Sequence, residues 1–275
     1  MKEKDIAKHR VTRNLYGKKG KDLYGFTTDL EVKKWIETQY GVKVLFLTIT
    51  GSHMWNLNTP DADLDIRGVY IKPTEQILSI YPGRDTIESC GIMGKDIDIQ
   101  LYEIEKALHM LLNNNGNTIE MLMSPTTFYQ EKFINWHHLA RKSLCRKLAK
   151  YYKGYATSQR RRASVKRGGK ALLYTFREIM AGIWLMRSGK IIYDFTKLKP
   201  NFEKYYGFKS SLLDWAIVNK SASVEVEVWD KGFMKDWEKL CRIFDDEESK
   251  SILSKEVDNY TEFNELLLSL RKKEY

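Results

Sequence analysis

Hydrophobic positions follow two regimes in this chain, short apolar or alternating runs in the first half and helical spacing in the second. Over 28–40, Leu30, Trp35 and Ile36 recur at roughly helical spacing behind Thr28 or Asp29 as caps, and Gly41 suits the end. Residues 44–50 are apolar, rich in β-branched side chains and uncharged, as in a strand covered on both faces. The turn Gly51-Ser52 comes next. Residues 54–59 coil or form a short helix that Pro60 ends, and 61–72 read as a second strand closed by Pro73. After a short helix over 74–80 and the turn Tyr81-Pro82-Gly83-Arg84, residues 95–101 alternate with period two, which predicts a third, half-buried strand. Helices are predicted over 102–113 and 118–123, the second stopped by Ser124-Pro125.

Beyond about 128 the pattern turns to long, charged, aromatic-rich helices. One helix is expected over 133–153 and another over 172–185, ending at Ser188-Gly189. Val224, Val226 and Val228 alternate with Glu225 and Glu227 like an exposed strand, and 233–246 and 259–271 read as helices. The resulting fold class is α/β (α+β): a short mixed sheet with helices, then a mainly helical domain. The expected division is a basic N-terminal arm over 1–28, an α/β domain over 29–128 and a helical domain over 129–275.

Composition narrows the function. Hydrophobic residues at 43% and aromatics at 12% exclude a disordered chain. Forty-six Lys and Arg against 36 Asp and Glu leave a net charge of +10, which points to a polyanionic partner, nucleic acid or nucleotide. No apolar run nears the roughly 20 residues of a membrane span, and MKEKDIAKHR lacks a signal peptide's apolar segment, so a cytoplasmic protein is expected. Cys90, Cys145 and Cys241 form no CxxC pair, and neither a disulfide framework nor a zinc site is expected.

The chemistry concentrates between Gly51 and Asp98. Asp63 and Asp65, two apart in a strand, point the same way, while Leu64 and Ile66 face a core. Two ionised carboxylates side by side call for a divalent cation, Mg²⁺ or Mn²⁺. The backbone N–H groups of the Gly51-Ser52 turn, with Ser52 Oγ, would hold the β and γ oxygens of a triphosphate. A further carboxylate, Asp96 or Asp98, would complete a site for two-metal nucleotidyl transfer. An EF-hand is excluded, because Ile66 fills the position of its glycine and Lys72 that of its bidentate glutamate. Asn117 and Glu120 would either cap and pin a short helix or touch substrate. Six basic residues among the eleven from Arg160 to Lys170, Arg160 and Lys166 included, read either as a solvated charge run or as a phosphate-binding edge, and a site that needs a triphosphate favours the second. Lys170 and Arg177, seven apart, share a helix face from which both would reach nucleotide phosphates.

These residues carry a resemblance. The run GSHMWNLNTPDADLDIRGVY resembles the GS…DxD signature of the DNA polymerase β-like nucleotidyltransferase superfamily, and within it the RNA-repair-associated nucleotidyltransferases of bacteria and phages. The match is carried by Gly51-Ser52, Thr59-Pro60, Asp63, Asp65 and Arg67-Gly68-Val69, then Asp98 with Leu101-Tyr102, then Asn115, Asn117, Glu120 and Ser124-Pro125. It continues through Gly154-Tyr155-Ala156, Ser158-Gln159, Lys170, Arg177 and Gly189, covering about 44–191. Asn56, Ala62 and Tyr174 depart from the pattern, which usually has glycine, serine and histidine there. The resemblance implies Asp63, Asp65 and Asp98 as catalytic metal ligands and Gly51, Ser52, Arg67, Lys170 and Arg177 as nucleotide contacts. It also implies an NTP substrate and an RNA end as acceptor. The same chemistry on a protein or small-molecule hydroxyl, or a non-catalytic nucleic-acid-binding protein, are the alternative expectations.

Overall fold

The computed structural model describes residues 22–23, 27–166, 168–221 and 226–273. Most of the expected basic arm therefore lies outside the described residues. The arm's last residues contribute a small antiparallel ribbon of β1 (Asp22–Leu23) and β2 (Thr27–Thr28). Helix α1 (Asp29–Tyr40) begins there because Thr28 accepts the Glu31 N–H while the Glu31 carboxylate accepts from Thr28, and it stops at Gly41 in the left-handed conformation.

The main sheet has five strands in the order β5-β6-β4-β3-β7. These are β3 (Lys43–Ile49), β4 (Leu64–Ile71), β5 (Thr86–Ser89), β6 (Ile97–Glu103) and β7 (Thr127–Gln130). Only β4 and β6 run parallel; the other pairs are antiparallel, giving the expected mixed sheet. Strand alternation divides β4 and β6 cleanly. Leu64, Ile66 and Tyr70, with Ile97, Ile99 and Leu101, pack beneath Val32 and Ile36 of α1, whereas Val69, Ile71 and Tyr102 join the core on the opposite side. Asp65 and Arg67 share the parity of Val69 and Ile71, so they project from the face that the helices cover.

The helices after α1 are α2 (Gly51–Met54), α3 (Thr74–Leu78), α4 (Ile104–Leu112), α5 (Gly116–Leu122), α6 (Trp136–Lys142), α7 (Leu148–Lys166), α8 (Gly169–Ser188), α9 (Phe195–Tyr206), α10 (Ser211–Val218), α11 (Val226–Ser249) and α12 (Tyr260–Lys272). The centre is α8, buried almost continuously from Leu172 to Met186. Two expectations change here. The single helix over 133–153 is interrupted between α6 and α7, where the Arg146 backbone N–H donates to Ser254 O and its guanidinium to Leu253 O and Ser251 O; these bonds to a distant segment override local periodicity. The strand at Val224–Val228 is absent from the described part, because helix α11 already runs from Val226, its packing set by Phe233, Leu240 and Phe244 at helical spacing; residues 222–225 lie outside the described residues.

One apolar core passes from Phe46 and Val69 of the sheet through Trp136 and Phe176 to Phe263 and Leu270. The change of composition near 128 is thus crossed by common packing. Helix α12 returns to the sheet, where Arg271 Nη2 meets Glu103 Oε1 at 2.7 Å and Arg271 O accepts the Thr74 hydroxyl at 2.9 Å. Among the described residues no helix is long and apolar enough to cross a membrane.

Candidate active site

Where β3 ends, the chain turns sharply into α2. Gly51 stands at φ +63°, and a Cβ there would lie 2.1 Å from Asp65 Oδ2, so only glycine lets the turn sit against that carboxylate. The neighbouring Thr50 N–H donates to Asp65 O at 2.8 Å, locking the turn to β4. Ser52 is buried, and its carbonyl accepts from Leu57 N at 2.9 Å. His53 is buried as well and meets the backbone of Ala62 and Asp63; burial holds its imidazole below the usual range. The loop carrying Asp63 is therefore pinned from the α2 side.

Asp63 directly precedes β4 and Asp65 lies within it, flanking the fully buried Leu64. On the parallel neighbour β6, Asp98 pairs in register with Asp65, which places Asp98 on the same sheet face. Asp96 lies just outside β6, its carbonyl holding Leu64 N at 3.0 Å. Asp98 Oδ1 accepts the Gly91 N–H at 3.2 Å. Arg67, next on that face, donates to Gln100 Oε1. Burial raises the Asp65 pKa, and the charges of Asp63 and Asp98 push it further up while Arg67 and Lys170 pull it back.

These repulsions test the fit of a metal. Asp63 and Asp98 stand close enough to disfavour ionisation of Asp65, a small turn of backbone N–H groups lies beside them, and such oxygen donors suit a hard divalent cation. They are not drawn into a closed cage: among the described residues no three His, Cys, Asp or Glu side chains converge as a ready-made metal cluster.

A cleft of about 80 Å³ opens over this face, lined by Gly51, Trp55, Asp65, Arg67, Asn117 and Tyr155 among others. Asn117 Oδ1 accepts the Tyr151 hydroxyl at 2.8 Å, and the rings of Tyr151 and Tyr155 stack at 5.9 Å. Glu120 also lines the cleft, but its carboxylate is engaged from behind by Tyr152 OH at 2.7 Å and by Arg177 Nη2 at 3.0 Å. Arg177 is only 1% exposed. Its guanidinium also meets Glu178 and lies 4.0 Å from the Trp55 ring. Complete burial pushes Glu178 up to about 7 against the pull of Arg177. Of the two α8 residues expected at the phosphates, Lys170 is exposed while Arg177, two turns on, sits under the cleft floor. Arg160 points elsewhere, over the Trp237 ring of α11 at 5.2 Å. Lys166 closes α7, and its side chain lies outside the described residues.

Several residues at or beside the cleft escape sequence reasoning. Trp55 packs edge-on against Tyr174 at 5.1 Å, and Tyr193 OH donates to Glu120 O at 3.0 Å. Lys220, after α10, donates to Leu57 O at 2.7 Å. Trp55 lies inside the GS…DxD segment and is legible there as a large residue in a loop; Tyr193 and Lys220 carry no motif. A larger cavity of about 740 Å³, lined by Tyr40, Tyr70, Lys72 and Arg84, lies at the opposite end of the sheet and holds none of these carboxylates.

The chain is similar to known proteins over much of its length. The model of the RNA repair pathway DNA polymerase beta family matches residues 28–269. Over 160 residues the chain is 29% identical to the uncharacterized protein MJ0002 of Methanocaldococcus jannaschii, a stretch covering 56% of this chain and 65% of that protein. Over 175 residues it is 30% identical to the uncharacterized protein YcgL of Bacillus subtilis, covering 61% and 66%. The matched stretch thus spans just under two thirds of each relative's length.

Proposed function

The chain belongs to the RNA repair pathway DNA polymerase beta family, and we propose that it is a metal-dependent nucleotidyltransferase that moves a nucleoside monophosphate from an NTP to the hydroxyl of an RNA end. The observation that carries this reading is the registration of Asp98 with Asp65 beside Asp63, over a glycine turn that no other residue fits. Asp63, Asp65 and Asp98 would hold Mg²⁺ or Mn²⁺, and the bound cation would supply charge withdrawal from the transferring phosphoryl group. The chain's own residues do the positioning. The turn's N–H groups and Ser52 receive phosphate oxygens, Arg67 adds a cation on the carboxylate face, and the Trp55 and Tyr155 rings bound the cleft and exclude water.

An RNA acceptor is supported by family membership, by the net charge of +10, and by the exposed Arg161 and Arg162 on α7, the helix that brings Tyr155 to the cleft. Incubation with labelled NTPs and Mg²⁺ is expected to label RNA ends, with incorporation abolished by EDTA and restored by added Mg²⁺ or Mn²⁺. Labelling of a protein or small molecule that ignores added RNA would reassign the acceptor. RNA binding with no pyrophosphate release under any condition would remove the enzymatic reading.

Gly51→Ala probes the turn. Its methyl group would overlap Asp65 Oδ2 in a backbone conformation that L-residues avoid. Incorporation is expected to fall about a hundredfold, while unfolding stability drops by only about 1–2 kcal/mol. Near wild-type kcat in a folded Gly51→Ala protein would show that the turn's contact with Asp65 is irrelevant.

A further inference from the structure

Lys220 comes from the stretch between α10 and α11 that no sequence motif reaches, yet it contacts the loop between α2 and β4 that leads to Asp63. Its ammonium lies 5.6 Å from the centroid of the Tyr174 ring, and that of Lys170 lies 5.9 Å from the same centroid. Two cations thus share one phenol. Neither forms an ion pair with a carboxylate among the described residues, whereas Lys33, Lys106, Lys142, Lys153 and Lys199 each do. The ring they share packs against Trp55, which lines the carboxylate cleft, so both ammonium groups stand beside that cleft.

The arrangement is held in place. A Cβ on Gly169 would lie 2.2 Å from Asn219 O, so the start of α8 and the end of α10 are in backbone contact, bringing Lys170 and Lys220 together. Trp55 fixes the Tyr174 ring from the edge, and Leu57 O takes one of the three Lys220 N–H donors. Two donors remain. Burial, then the charge of Lys170, pushes the Lys220 ammonium down to about 8. Like charges kept close and partly desolvated without a counter-ion are relieved by an anion.

We propose that Lys220 and Lys170, both beside the Tyr174 phenol, form a bracket for the polyphosphate tail of the nucleotide. The proposal rests on the nucleotidyl-transfer reading for the identity of the substrate. It adds that Lys220 makes the site selective for a triphosphate over a monophosphate, since only the longer anion reaches both ammonium groups while its α-phosphate stays at the carboxylates.

Calorimetric titration with inorganic tripolyphosphate, and separately with AMP, tests this on the full chain. Lys220→Gln keeps a donor for Leu57 O and removes the charge; Lys220→Arg keeps the charge; Lys170→Gln alters an exposed residue. Lys220→Gln and Lys170→Gln are each expected to weaken tripolyphosphate binding about tenfold and to raise the NTP KM by a similar factor with kcat within about threefold. AMP affinity should not move, and Lys220→Arg should restore most of the tripolyphosphate affinity. Unchanged tripolyphosphate affinity in folded Lys220→Gln, judged by melting temperature, overturns the bracket even if the wild type transfers nucleotides. Should Lys220→Gln not fold, equal binding by wild type and Lys170→Gln overturns it. Lys220-dependent tripolyphosphate binding in a protein that turns over no NTP supports the anion site and sinks the nucleotidyl-transfer reading instead.

Discussion

Asp65→Asn is expected to lower nucleotide incorporation about a thousandfold while leaving the protein as stable as the wild type or more so. The loss corresponds to about 4 kcal/mol of transition-state stabilisation. It stems from the position of the residue: Asp65 is in register with Asp98, one residue beyond Leu64 from Asp63, and in contact range of the Gly51 turn. The unchanged or higher stability comes from the same environment. Burial and the charges of Asp63 and Asp98 raise the Asp65 pKa, so in the absence of a cation its ionised form works against folding at neutral pH. Asparagine preserves shape and removes that repulsion. Steady-state incorporation with Mg²⁺, set beside thermal unfolding in EDTA, separates the two effects. A variant that loses activity only because it melts earlier would mean that Asp65 is structural.

Arg177→Met is the change expected to damage the fold most. Arg177 is buried between Glu120 and Glu178, and removing it strands two carboxylates that nothing else neutralises among the described residues. Breaking a buried pair in this way costs about 3–5 kcal/mol, although replacing all partners by apolar groups often costs little. Urea unfolding should therefore show a loss of about that size for Arg177→Met and a smaller one when Glu120→Gln is added, a coupling that a double-mutant cycle measures. The pH dependence has a defined sign. A carboxyl group whose folded pKa is raised, as for Glu178 at about 7, loses stability as pH climbs from its unfolded value through the folded one. Without Arg177 that loss deepens, so the penalty should be larger at pH 8 than at pH 5. An equal penalty at both values would mean that Arg177 acts through packing on Trp55 alone.

Much of the sheet is legible in the sequence because its signals are local. The runs at 44–50, 61–72 and 95–101 correspond to β3, β4 and β6, with β4 shortened to Leu64–Ile71, and Thr28, one of the two expected caps, bounds α1 together with Gly41. Strands β5 and β7 escape, being four residues each at the sheet's two edges, too short for periodicity to register. Helices α9 and α10 escape in a stretch where Pro200 and short apolar runs blur the pattern. Within the candidate site, alternation puts Asp63 and Asp65 on one face but leaves Asp96 and Asp98 equivalent, and it is the register of β4 with β6 that sets Asp98 opposite Asp65. What sequence spacing does not reveal is depth. Seven residues along α8 put Lys170 and Arg177 on one side, but the packing of α7 and the Trp55 ring decides that the first is exposed and the second buried. Lys220 requires a tertiary contact between α8 and α10 that no local pattern encodes.

The return of α12 to the sheet has a consequence for synthesis. Glu103, at the end of β6, is 3% exposed through its side chain and has Arg271 as its ion-pair partner, 168 positions later in the chain. During translation the strand bearing Asp98 leaves the ribosome long before that partner exists, and loop closure over such a distance is slow. Until then Glu103 has only local support, the Lys72 and Glu105 N–H groups and the nearby Lys72 charge, so the margin of the sheet that carries the chemistry gains its buried ion pair only after the segment bearing Arg271 has emerged.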